Sequence, residues 1–184
     1  ALMVGKKIPE YTYQVQYKTG KMEIIDSYAT DHFVDAMDEV MFAGGEHDKI
    51  YEKLGAHPGH VAGYAGTWFA VWAPNAVSIS VVGDFNNWDG RIHQMERITE
   101  HGVYELFIPG LKAGTEYMYE VKFHSRETVL KADPYAMEAT RYADAHSVVT
   151  TVSSKASQNG KTKRTTPGVN LSLIHISEPT RRVV

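Results

Sequence analysis

The chain contains no cysteine, which removes disulfide staples, thiol nucleophiles and thiolate zinc sites together. No run approaches the ~18 apolar residues that a membrane span needs, and the N-terminus lacks the basic-then-apolar pattern of a secretory signal. A reducing cytoplasm is therefore the expected setting, with no membrane partner. Positive charge is also short where it would matter: the formal net charge is −3, with +5 carried from Thr151 onward and −8 by the remainder. A net-acidic body cannot replace phosphate counterions, so nucleic acid is not an expected partner. Missing as well are a Gly-rich phosphate loop, a Gly-x-Ser-x-Gly elbow, a dinucleotide fingerprint and any solenoid repeat, and no cofactor is expected.

What remains is ordinary globular material. The 184 residues, 43% hydrophobic and 11% aromatic, suffice for one or two domains but not for a large multidomain enzyme. All 20 aromatic residues precede Thr151, so residues 151–170, rich in Ser, Thr, Lys and Gly, have little to pack and read as disordered or frame-shifted. Residues 171–181, Leu-Ser-Leu-Ile-His-Ile-Ser-Glu-Pro-Thr-Arg, match codon for codon a transposon-type adapter used in DNA sequencing libraries. Residues 171–184 are therefore expected to be translated adapter and are set apart from fold reasoning. The alternative is a genuine C-terminal strand, which no alternation or turn chemistry supports.

Residues 11–25 alternate, with Tyr11, Tyr13, Val15 and Tyr17 on one face, and break at residues 18–21, which predicts a hairpin. Two strands alone are marginal in water, so residues 1–30 either belong to a larger sheet or pad the following domain. Residues 31–60 read as a helical and loop linker: Phe33, Val34, Met37, Val40 and Met41 recur near helical spacing, Gly44-Gly45 interrupts, and residues 47–54 allow a short second helix ended by Gly55. Residues 61–150 change to short strands between turns, the pattern of an all-β, immunoglobulin-like sandwich. Strands are expected at residues 67–72, 77–82, 103–108, 116–123, 129–132 and 147–151, and residues 83–90 form a loop dense in turn formers.

Five carboxylates, Asp84, Glu105, Glu116, Glu120 and Asp133, raise a two-carboxylate glycosidase reading. Most occupy positions that read as turns or wet strand faces, and solvated side chains are the expectation. His47, His57 and His60 raise a metal, but His57-Pro58-Gly59-His60 reads as a turn without the spacing of a two-histidine ligand pair, so no metal is expected. The tryptophans carry more: a flat ring exposed at a turn can stack on a sugar as it does on a base, worth about 1–3 kcal/mol by that analogy. Trp72, beside a turn, and Trp88, ending a polar loop, are the candidate carbohydrate-binding residues. The competing reading makes both of them core plugs, and Trp88 the more so because its neighbour Phe85 also needs a core.

Together, Tyr51-Glu52-Lys53-Leu54-Gly55-Ala56-His57-Pro58, the segment Thr67-Trp68-Phe69-Ala70-Val71-Trp72-Ala73-Pro74-Asn75, the loop Gly83-Asp84-Phe85-Asn86-Asn87-Trp88-Asp89-Gly90-Arg91 and Lys131-Ala132-Asp133-Pro134-Tyr135-Ala136 resemble bacterial 1,4-α-glucan (glycogen) branching enzymes. The resemblance is to their N-terminal carbohydrate-binding module of family 48, and it spans about residues 11–149. It implies a preceding β-sandwich, of which residues 1–30 are the end, and a parent that transfers α-1,4-glucan chains to form α-1,6 branches, using a (β/α)8 barrel. That barrel takes ~250 residues and none of its motifs is present, so this fragment should bind or dock and not turn over. The implied partners are α-1,4-glucan, weakly, and the parent's catalytic barrel. Of the related modules' sugar contacts, the resemblance keeps one at Trp72 and puts the others near Met118, Leu130, Ala145 and Ser147. With four contacts replaced, the expected affinity is ~1 mM or worse. Two rivals remain: a docking module supporting the barrel without its own glycan affinity, and the same module from a debranching-type relative.

Overall fold

The structure, a computed structural model, describes residues 11–17, 20–141 and 145–151; the readings of a disordered tail and a translated adapter lie outside them. An antiparallel hairpin, β1 (Thr12–Tyr17) and β2 (Gly20–Ile25), leads into α1 (Ala36–Ala43) and a 3₁₀ turn (Ile50–Glu52). Then come β3 (Gly55–Val61), β4 (Tyr64–Trp72), β5 (Ala76–Val82), β6 (Glu96–Arg97), β7 (Val103–Pro109), β8 (Glu116–Phe123), β9 (Thr128–Lys131), β10 (Glu138–Ala139) and β11 (Ser147–Val148). They form two antiparallel sheets, one ordered β3-β4-β7-β6 and the other β10-β11-β8-β5 with β9 also paired to β8. The all-β sandwich is thus as its sequence pattern predicts.

Alternation builds the core between the sheets. Phe69 and Val71 of β4, Ile79 and Val81 of β5, Tyr104, Leu106 and Ile108 of β7, and Tyr117, Tyr119 and Val121 of β8 all point inward and are buried together. The outward row of the β4-β7 pair is apolar too, and residues 25–54 lie across it as a strap. Ile25 joins Trp68 and Phe107 in one cluster, with Phe33 packed against it. Val34 and Leu54 join Ala70 and Val103 in another, backed by Phe42 and Ile50. Burial on both faces explains why residues 67–72 read as an almost unbroken apolar run.

Several local readings are corrected. His57-Pro58-Gly59-His60 is no turn but the middle of β3, an edge strand in register with residues 65–68 of β4; an edge strand tolerates proline, and Pro and Gly hid the alternation. Residues 47–54 yield one 3₁₀ turn rather than a second α-helix. In α1 the Asp35 side chain accepts the Met37 and Asp38 N–H groups while Asp38 accepts that of Asp35, a reciprocal cap. The helix turns Asp38 and Phe42 toward the sheet and leaves Met37, Val40 and Met41 exposed. Among the described residues no helix is long and apolar enough to cross a membrane.

Candidate functional site

The loop after β5 is built by its asparagines and glycines. Asn86 is buried: its Oδ1 accepts the Gly83 N–H at 3.0 Å, and its Nδ2 donates to the Val81 carbonyl at 2.8 Å and meets His93 Nδ1 at 3.0 Å. Burial lowers the His93 pKa below its ordinary value. Asn87 and Trp88 both take left-handed backbone, φ +55° and +59°, unusual for residues with side chains. The loop then closes on the outward face of β8. A side-chain carbon at Gly83 would collide with the Glu116 carbonyl, so only glycine allows that approach, whereas one at Gly90 would require the Glu120 carboxylate to move aside.

This places Trp88 half-exposed at the rim of the second sheet, not in its core. The indole N–H donates to Asp84 Oδ1 at 2.8 Å, and the ring lies 4.9 Å from that of His146. His146 Nδ1 is 3.0 Å from Glu116 Oε2. Beside this group, Met118 is half-buried and Leu130 is 50% exposed on the same outward face, Met118 in register with Val82 and Leu130 with Glu120. Polar groups ring it: Asp84, Glu116, Arg91 paired to Asp89 at 2.6 Å, and Lys122 paired to Glu120 at 3.5 Å. The Arg91 guanidinium holds the Asp89 carboxyl well below the usual carboxylate range. An aromatic face beside fixed acceptors and donors is what a sugar needs, since its C–H face is apolar and its hydroxyls are not.

Trp72 stands elsewhere. It ends β4 on the outward face of the other sheet, in register with Val103, and is 40% exposed. Its N–H donates to the His101 carbonyl at 2.8 Å, and its ring meets Phe42 of α1 edge-on at 5.3 Å. The two tryptophans therefore do not form one site. Nor does Trp72 join Met118, Leu130, Ala145 and Ser147, as the resemblance suggested; those positions lie on the Trp88 side. Ser147 is unavailable to any ligand, being fully buried with its Oγ accepting the Asp133 N–H at 2.8 Å. His146, beside it, is the residue that sequence reasoning missed, because only the β11-β8 pairing brings it to Trp88.

Two of the five carboxylates are not solvated as expected. Asp133 is buried between the sheets, its Oδ2 accepting Tyr117 and Tyr119 hydroxyls at 2.6 and 3.2 Å and its Oδ1 the Tyr135 N–H at 2.8 Å. Burial raises its pKa, partly opposed by those hydrogen bonds. Glu105, on the outward row of β7, is buried under the strap, where it accepts the Val34 N–H at 3.1 Å and meets His32 Nδ1 at 2.6 Å. Both are structural ties. Among the described residues no three His, Asp or Glu side chains are grouped to hold a metal. His47 pairs with Asp38 at 2.9 Å and His57 Nε2 with the Leu54 carbonyl at 3.1 Å, while His60 lies exposed near the end of β3.

Comparison with known proteins gives three findings. Residues 53–136 match the family described as carbohydrate-binding module 48 (Isoamylase N-terminal domain). The chain is 45% identical over 141 residues, 76% of its length, to the 1,4-alpha-glucan branching enzyme GlgB of Gloeobacter violaceus, covering 19% of that protein. It is 51% identical over 105 residues, 57% of its length, to that of Synechococcus sp. (strain JA-3-3Ab), covering 14%. It thus spans under one fifth of the curated relatives it matches. Among solved structures, the pullulanase from Bacillus acidopullulyticus aligns with 24% identity and a TM-score of 0.41 over 53% of this chain and 12% of that one.

Proposed function

Since residues 53–136 match the carbohydrate-binding module 48 family and the chain is similar to branching enzymes, we propose that it is a non-catalytic α-glucan-binding module. Its parent would be a cytoplasmic enzyme that moves α-1,4-glucan chains onto 6-hydroxyls. The contact surface in this reading is Trp88 with the outward face of β8. The observation that supports it is the Trp88 ring, held half-exposed by Asp84 and His146 among charged side chains able to bond sugar hydroxyls.

The test is a titration of the whole chain with maltoheptaose, read by intrinsic fluorescence and calorimetry. Binding near ~1 mM, about −4 kcal/mol, is expected, lost in Trp88→Ala and kept in Trp72→Ala. Undiminished binding by Trp88→Ala would sink this site.

A second reading applies to the opposite sheet. Trp72 is exposed but has apolar company, Phe42 against its edge and, on the same helix, Met37, Val40 and Met41 turned outward. Such an exposed apolar surface suits docking better than sugar, so we assign Trp72 to support of a neighbouring domain. Maltodextrin perturbing the emission of Trp72 in a Trp88→Phe background would return it to the glucan site.

A further inference from the structure

Trp88 is not free on both sides. The His146 ring packs against it, with planes tilted by 51° and centroids 4.9 Å apart, inside the range of attractive aromatic pairs. His146 is itself anchored twice. Its Nδ1 reaches Glu116 of β8 at 3.0 Å. Its backbone N–H donates to Thr140 Oγ1 at 2.9 Å, while the Thr140 N–H donates back to the His146 carbonyl at 2.8 Å. On the other side of the problem, the hydrogen bond to Asp84 fixes one edge of the indole, and the left-handed backbone at Asn87 and Trp88 fixes where the side chain starts. The N–H edge of the indole and the side toward His146 are engaged, and the residue stays half-exposed.

We infer that His146 is a positioning residue: it presents Trp88 as a rigid, one-sided platform for the flat face of a single α-glucan run, rather than as half of a clamp closing on a sugar from two sides. This rests on the glucan reading above. The physical reason is preorganisation. An unsupported loop tryptophan surrenders rotamer freedom when a sugar orders it, whereas a ring already wedged between Asp84 and His146 has little left to lose. Glu116 supports this arrangement by holding the imidazole through Nδ1.

The experiment compares the whole wild-type chain with Trp88→Ala, His146→Ala and His146→Phe in maltoheptaose titrations. Acrylamide quenching of Trp88 emission, isolated by difference from Trp88→Phe, is measured on the same proteins, with thermal melts alongside. His146→Ala should weaken binding about three- to tenfold and make Trp88 more accessible to quencher. His146→Phe, which restores a ring without the hydrogen bond to Glu116, should recover affinity to within about twofold. If His146→Ala does not fold, the Phe variant decides: retained affinity supports positioning and lost affinity overturns it. Should Trp88→Ala lose binding while His146→Ala binds and quenches like wild type, positioning fails and the glucan platform stands. Should Trp88→Ala bind like wild type, the platform fails and this inference with it.

Discussion

On the β3-β4-β7-β6 sheet the outward row reads Trp68, Ala70, Val103 and Phe107, and residues 25–54 cover it. On the β8 sheet the outward row reads Ser78, Ser80, Val82, Glu116, Met118, Glu120, Lys122 and Leu130; Ser80 and Val82 are buried on the β5 side, and the rest of the row stays at least partly exposed. The inward rows of the two sheets are alike. What differs is only the chemistry of the alternate residues, so alternation sets which side chains point out and their polarity sets whether the chain folds back over them. Glu105 is the exception on the covered face. It is useful there because its two oxygens tie the strap at Val34 and His32.

Removing a ring from the covered face tests this contrast most severely. Phe107→Ala should destabilise the chain by about 4 kcal/mol, measured by urea unfolding; a loss under about 1 kcal/mol would mean that the strap does not make this face a second core. The buried carboxylate between the sheets comes next, because Asp133→Ala strands two tyrosine hydroxyls at a cost of about 3 kcal/mol. Asp133 also carries a pH signature. Its folded pKa is raised by burial, so the stability it contributes is fully present below the unfolded value of about 3.9 and fades as pH rises through the folded one. The wild-type margin over Asp133→Asn, followed by melts across pH, should narrow with rising pH. A margin that widens would show the hydroxyl hydrogen bonds outweighing desolvation.

Glu105→Ala sharpens the comparison at a smaller scale. It leaves the Val34 N–H buried without a partner and should lower stability by about 2 kcal/mol, with faster amide exchange confined to the strap. On the open face, Leu130→Ala should change unfolding by no more than about 0.5 kcal/mol. A larger effect would mean that something in the chain covers this face after all.

Much of this architecture can be read from local pattern. The hairpin follows from Tyr11, Tyr13 and Val15 alternating, and the inward pair of β5 from Ile79 and Val81, because a side-chain period of two needs no partner to be visible; Val77 continues that row in the sequence but is exposed, since the strand bulges between Ala76 and Ser78. β3 could not be read that way, since His57-Pro58-Gly59-His60 has turn composition and becomes strand only by pairing with β4. The buried states of Glu105 and Asp133 were equally illegible: a carboxylate carries no mark of whether another segment will lie over it. The loop composition of residues 83–90 did mark a special turn, but not that it would stand Trp88 against His146, 58 positions further on.

By itself, then, the sequence determined the strand periods outside β3, the inward core and the match of residues 53–136 to the carbohydrate-binding module 48 family. Only the tertiary structure decided which sheet face stays open, and that Trp72 and Trp88 are on different sheets. It also decided that Trp88 stands among ionisable side chains while Trp72 stands against Phe42. The physical reason is that periodicity is a property of neighbours along the chain, while burial and site geometry depend on what distant segments bring to the same place.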